Sequence, residues 1–184
     1  MPNPFRTIKI IILITTIGLA FLGTAYFLLK NPHPSSIPLV FENPAKGCRE
    51  IFVYRTNADD TMGISVTADK NKLHLSKDEK IFEISKTPGL NVEILKGQHI
   101  ERFYCNDVLY LNEESKQKKL IGKSGTVTIR LGDPVEWAPP NWEKGYKATV
   151  ILNNATFSDD KGRSIDTILD NLTFENVTVG WIPN

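Results

Sequence analysis

Residues 125–131 read GTVTIRL, and this stretch decides the fold class. The apolar side chains of Val127, Ile129 and Leu131 alternate with polar ones, so each kind occupies its own face of an extended chain. A period of two indicates a β-strand with one buried face, whereas an amphipathic helix repeats its apolar residues about every 3.6 positions. The stretch therefore predicts a strand with one face in the core.

Similar patterns recur through residues 47–184, either as alternation or as short apolar runs typical of strands buried on both faces. Further strands are predicted at 51–54, 64–68, 73–75, 82–84, 92–95, 100–105, 108–111, 146–157, 164–169 and 172–181. Turn residues such as those at 69–72 and 158–162 separate them, and the charged residues 112–122 favour a solvated loop. The spacing predicts an all-β fold, a β-sandwich or an open barrel of about nine to ten antiparallel strands.

The last predicted strand changes phase within itself. Leu172 and Phe174 share one face, whereas Val177, Val179 and Trp181 have the opposite parity. An extra residue in one strand, a β-bulge, produces such a slip. We therefore expect a bulge between Phe174 and Val177.

A membrane anchor is predicted at residues 10–29, which contain no charged side chain. A helix of this length spans about 30 Å, the thickness of the hydrocarbon core of a bilayer. Arg6 and Lys9 precede the segment and only Lys30 closely follows it, which keeps the N-terminus in the cytoplasm. We expect residues 1–30 to be a cytoplasmic stub and a single-pass transmembrane signal-anchor, with the remaining chain outside the cytoplasm.

The alternative is a signal peptide that is cleaved near residues 23–25, where small side chains occur. Cleavage there would leave the apolar residues 26–29 at the new N-terminus. The apolar segment is also longer than the usual signal-peptide core of about 7–15 residues. The pattern therefore favours the retained anchor, with a cleaved, secreted form as the second interpretation.

A proline-rich linker is predicted at residues 31–46, which contain four of the eleven prolines. Proline removes a backbone donor and favours an extended chain. A second interpretation is equally open: the apolar residues of 37–41 pack on the domain as an edge segment. The extracytoplasmic β domain is expected to cover residues 47–184.

The balance of basic and acidic side chains argues against a nucleic-acid partner. The chain carries 22 basic and 21 acidic side chains, and three of the basic ones but none of the acidic ones lie in residues 1–30. The remainder therefore has a net charge of −2. A nucleic-acid-binding domain carries a basic stripe, so we expect no nucleic-acid partner.

The two cysteines, Cys48 and Cys105, both follow the predicted anchor. An even number of cysteines in an oxidising compartment predicts a disulfide. Two free buried thiols are the alternative, and the absence of a Cys-x-x-Cys motif argues against a redox-active pair. We expect the Cys48–Cys105 bond to form.

The motifs of enzymes are not found in the sequence. Residues 122–125, GKSG, lack the upstream glycine of a phosphate-binding loop and the spacing of a nucleophile elbow. Asp159 and Asp160 lack the further spaced ligands of a calcium loop, so a polar turn accounts for them better. His74 and His99 are expected to be solvated. We predict no catalytic site, no metal site and no cofactor.

One aromatic cluster has two interpretations. Trp137, Trp142 and Tyr146 lie in or beside a proline-containing loop between two predicted strands. Rigid aromatic side chains are typical of carbohydrate-stacking surfaces and of protein-binding hot spots. The alternative, which we favour, is that Trp137 and Trp142 cap an open end of the fold.

These observations predict a membrane-anchored protein whose β-sandwich is a non-enzymatic binding or assembly module for a protein or glycan partner. Two alternatives remain open. One is a hydrolase of envelope material, in which Asp133 and Glu136 near Trp137 would be the acid–base pair. The other is an accessory subunit of a membrane complex that makes its contacts through the anchor helix.

Overall fold

The computed structural model describes residues 39–106, 117–135, 145–165 and 168–180. They form an all-β fold with one 3₁₀ helix, Ile100–Phe103. The strands are β1 (Lys46–Cys48), β2 (Phe52–Thr56), β3 (Met62–Ala68), β4 (Lys80–Glu83), β5 (Leu90–Lys96), β6 (Lys118–Val135), β7 (Gly145–Asp159) and β8 (Leu172–Val179).

Several predictions concern other parts of the chain. The anchor at 10–29, the strand at 108–111, and Trp137, Glu136 and Trp142 lie outside the described residues. Within the described ranges, no helix has both the length and the apolar character needed to cross a membrane.

The strands form a single antiparallel sheet in the order β1-β2-β3-β5-β6-β7-β8, and β4 pairs with β6. Because β6 is long, one of its edges pairs with β5 along 118–121 and then with β4 along 126–129. The outermost strands, β1 and β8, lie against each other, and the Gly180 N–H donates to the Arg49 carbonyl beside them. The sheet is thus nearly closed into a barrel, the second of the two predicted architectures.

The core fills the inside of this barrel. Val127, Ile129 and Leu131 are buried there, whereas Arg130 between them is exposed. Burying each of the three apolar side chains stabilises the fold by roughly 1.5–3 kcal/mol. The prediction made from residues 125–131 is therefore confirmed.

The predicted bulge in the last strand is also confirmed. Ala148 pairs with Val177 and Val150 pairs with Phe174, so β8 has one residue more than β7 between these pairs. Within the bulge, Asn176 has a φ of 51°. Asparagine tolerates this left-handed conformation better than most residues do.

Two predicted strands are turns or helix instead. Residues 73 and 74 are part of a turn over 70–74, and residue 75 follows it. The Asp69 carboxylate stabilises this turn by accepting hydrogen bonds from the backbone N–H groups of Asn71 and Lys72, at 3.1 and 2.9 Å. Residues 100–103 of the predicted strand 100–105 form the 3₁₀ helix, because the Asp60 carboxylate accepts the Glu101 N–H at 2.7 Å.

Two further corrections concern strand lengths. In the predicted strand 164–169, Ser164 and Leu169 form isolated bridges with Ser158 and Ala155, and residues 166–167 lie outside the described part of the chain. Residues 118–122, expected in a loop, belong to β6, where main-chain pairing with β5 and β7 outweighs their polar character. The described ranges contain eight strands, and the strand predicted at 108–111 lies outside them.

The segment before β1 packs on the barrel. Phe41 is buried in the core and Leu39 lies against it, as one interpretation of residues 37–41 anticipates. The Asn43 side chain donates to the Thr56 hydroxyl and the Asn57 carbonyl, both at 2.8 Å. The chain thus enters the barrel at the end where β2 finishes.

Candidate functional site

A second apolar cluster lies on the outside of the barrel. Val53 of β2 points into the core, so its neighbour Tyr54 points outward, where it meets Ile100 and Tyr104. The rings of Tyr54 and Tyr104 have centroids 4.7 Å apart. The 3₁₀ helix and the residues after it therefore cover the outer face of β2 and β3.

The predicted disulfide holds this covering segment against the barrel. Cys48, at the end of β1, is fully buried, and Cys105 follows Tyr104 directly. The two cysteines are bonded, with Cα atoms 5.8 Å apart. The bond thus links β1 to the covering segment, which replaces the strand predicted at 100–105.

Between the covering segment and β8 runs an open groove of about 680 Å³, here called the seam groove. Its base is β1, one wall is formed by residues 101–106, and the other wall is Asn176–Thr178 of β8. At Gly47, β1 closely approaches β8, because a Cβ there would lie 2.7 Å from Val177 Cγ1. Glycine is therefore required where β1 lies against β8.

The walls of the seam groove are polar and charged. Lys46 Nζ, at the base, forms an ion pair with the Glu101 carboxylate of one wall, and both side chains are more than one-third exposed. Exposed ion pairs contribute little to stability. On the opposite wall, Lys147 Nζ donates to the Thr178 hydroxyl at 2.7 Å. These charged and hydroxyl groups can therefore give up their present partners and bind a ligand at a small cost in free energy.

The two tyrosines that line the groove stay protonated near neutral pH. Burial raises the pKa of Tyr54 to about 12, and the negative charges of Glu101 and Asp60 act in the same direction. Burial also raises the pKa of the Tyr104 phenol. Because both side chains are buried, they form an uncharged, aromatic lining of the groove.

The sequence-predicted ligand residue Tyr146 lies elsewhere. It is half-buried against the barrel core at the start of β7, with Lys70 Nζ 3.9 Å from its ring centroid. It does not line the seam groove. Since Trp137 and Trp142 are not among the described residues, their roles as cap or contact surface stay predictions.

The carboxylate considered for an acid–base pair is ionised. Asp133 is exposed, and Lys77 Nζ lies 2.5 Å from its Oδ1. The hydrogen bond and charge of Lys77 lower the pKa of Asp133. A general acid needs the opposite shift. Its proposed partner, Glu136, is not described.

The remaining candidates for chemistry are separate and solvated. His74 and His99 are both exposed, as predicted. Asp159 accepts hydrogen bonds from the Arg163 N–H and Nε at 2.8 and 2.7 Å, so it stabilises a polar turn. Across the four described ranges, no cluster of three or more His, Cys, Asp and Glu side chains could hold a metal ion.

The fold and the site together define a nearly closed eight-stranded barrel with a disulfide-linked groove on its outer surface. No family model, no curated protein and no solved structure matches this chain.

Sequence reasoning did not find the seam groove, because its walls come from three segments far apart in the chain. The only sequence signal was the cysteine pair, which predicted that residues near 48 and 105 meet. Nothing in the sequence indicated that Asn176–Thr178 would face them.

Proposed function

We propose that this chain is a single-pass membrane protein that presents its β-barrel outside the cytoplasm as a non-enzymatic binding or assembly module. The seam groove is its contact surface for a protein or glycan partner. The observation that carries this proposal is the groove itself, on the outside of a well-packed barrel, with a disulfide that links its base to one wall.

The membrane part of the proposal is supported by the sequence and by the disulfide. Residues 10–29 are uncharged, and basic residues precede them. Disulfides persist in oxidising compartments and are rare in the cytosol. The Cys48–Cys105 bond therefore supports a location of the barrel on the far side of the membrane.

The binding part is supported by the composition and the rigidity of the groove. Apolar surface from Tyr54 and Tyr104 lies beside the polar groups of Lys46, Glu101 and Thr178. Contact surfaces commonly combine an apolar centre with a polar rim. Because the disulfide already restricts the wall, little conformational entropy is lost when a partner binds.

A reporter that is active only outside the cytoplasm should be active when it is fused after Asn184, because the charge asymmetry around residues 10–29 directs the following chain across the membrane. The fusion should remain with the membrane through a carbonate wash. The matched control is the same reporter fused after Lys9, which should be inactive. Release of soluble protein that begins near Tyr26 would show a cleaved signal peptide instead.

A photo-crosslinking amino acid at position 176, which is exposed and lines the groove, should capture a partner in intact cells. The control is the same amino acid at the exposed position 83 on β4, outside the groove. We expect one discrete product from position 176 that is lost when Cys48 and Cys105 are both replaced by alanine. Equal products from both positions, or a product from position 83 alone, would contradict a role of the groove.

A further inference from the structure

Two lysines face each other at one end of the barrel. Lys96, the last residue of β5, lies directly opposite Lys118, the first residue of β6. Two residues further into the strands, Ile94 lies opposite Leu120, and both are buried in the core. Since side chains alternate along a strand, Lys96 and Lys118 are on the interior-facing side of the sheet, at the rim of the barrel.

Neither lysine has an acidic partner among the described residues. Burial lowers the pKa of Lys96, and the charge of Lys118 lowers it further. Like charges directly opposite each other across two strands are destabilising. The next residue, Lys119, has the other orientation and pairs with Glu93 at 2.5 Å. Among the described residues, positive charge is therefore uncompensated on the interior-facing side.

The other described groups on this side of the sheet do not neutralise the two lysines. Asp159 lies opposite Leu120 on β7, but its carboxylate is already bound by Arg163. Arg55 of β2, opposite the core residue Ile64, adds another cation to the interior-facing side. The Arg55 Nε is buried without a hydrogen-bond partner in the described part of the chain.

We propose that Lys96 and Lys118 together bind a phosphate-type oxyanion. A tetrahedral oxyanion has several acceptor oxygens and can receive hydrogen bonds from two ammonium groups at once. Its negative charge removes the repulsion between the lysines. Lysine is a compact point charge with rotatable donors, which suits phosphate without requiring a fixed fork geometry.

The anion has two possible sources, free phosphate or a lipid headgroup. The headgroup is a source because residues 39–45, which follow the predicted anchor in the chain, enter the barrel at this same end. The Asn43 N–H donates to the Thr56 carbonyl at 3.1 Å, and Met62, at the start of the next strand, lies opposite Lys96. Only this lipid source rests on the membrane anchor proposed above. Binding of free phosphate is independent of it.

The test measures how fast individual lysines of the full-length protein are acetylated, by mass spectrometry. The protein is placed in nanodiscs of neutral phosphatidylcholine, with sodium phosphate or with sodium chloride at equal ionic strength. At a phosphate concentration of about twice the Kd, Lys96 and Lys118 should react about threefold more slowly, because only about one-third of the sites are free. The rate at Lys119 should not change.

Nanodiscs that contain phosphatidylglycerol, studied in chloride, distinguish the sources. If Lys96 and Lys118 are protected in these discs but not by free phosphate, the bound anion is the lipid headgroup. The reverse result identifies free phosphate as the bound anion. In Lys118→Gln, protection of Lys96 should be lost, whereas the matched Lys119→Gln should retain it.

Three results would overturn the proposal. They are no protection of Lys96 and Lys118 in either arm, equal slowing of Lys119, and unchanged protection of Lys96 in Lys118→Gln. Failure of the protein to remain in nanodiscs would instead contradict the anchor, and the phosphate comparison would then be made in solution.

Discussion

Replacing Cys48 and Cys105 together by alanine is expected to lower the free energy of unfolding by about 4 kcal/mol in the chain-entropy model. The reason is the separation of 57 residues between the cysteines, which makes the unfolded chain much less restricted once the bond is lost. Denaturant unfolding of the oxidised protein and of the double variant at the same pH measures the difference.

The same substitution should also loosen the covering segment over β2. Tyr104 directly precedes Cys105 and is only 5% exposed, so its environment should change when the link to β1 is lost. Near-ultraviolet circular dichroism of the tyrosines reports this change. Wild-type protein under reductant serves as the control and should behave like the double variant. Equal stability of the oxidised and reduced protein would show that the bond does not restrict the fold.

Gly125→Ala is expected to destabilise the barrel by about 3 kcal/mol, from backbone strain and from displacement of a neighbouring strand. Gly125 has a φ of 108°, and a Cβ there would lie 2.6 Å from the carbonyl oxygen of Asn154. The position coincides with a register shift between β6 and β7, the longest strand pair of the sheet. Thermal and denaturant unfolding both measure the loss.

Gly162→Ala is the matched control. Gly162 also has a positive φ, of 76°, but a Cβ there would meet no atom within 4 Å. Its replacement should therefore lower the free energy of unfolding by only about 1 kcal/mol, which is the cost of placing an alanine in the left-handed backbone conformation. If the two variants lose equal stability, the close approach at Gly125 has no energetic role.

The sequence predicted strands well where alternation and main-chain pairing agree. In residues 125–131, apolar and polar side chains alternate, and the backbone pairs with a strand on each side. The strand predicted from the alternation is therefore the one observed. Leu73 and Leu75 alternate with His74 as well, and the two leucines are buried and the histidine is exposed. There the burial was predicted correctly but the backbone was not, because the Asp69 turn provides the hydrogen bonds.

The opposite error occurred at 118–122. Their polar composition favoured a loop, but these residues pair with β5 and β7 and continue β6. Backbone hydrogen bonds do not depend on which side chains a strand carries, so a strand with one solvated face can be rich in charge. Composition alone therefore could not predict where β6 begins.

The sequence by itself determined the all-β class, the bulge near Asn176 and the pairing of Cys48 with Cys105. Each of these follows from local periodicity or from a count of two cysteines. Only the tertiary structure decided that the sheet nearly closes, that β8 faces the covering segment across the seam groove, and that Lys96 lies opposite Lys118. The physical reason is that register and closure depend on how the whole core packs, so they bring together residues whose separation in the chain leaves no local pattern.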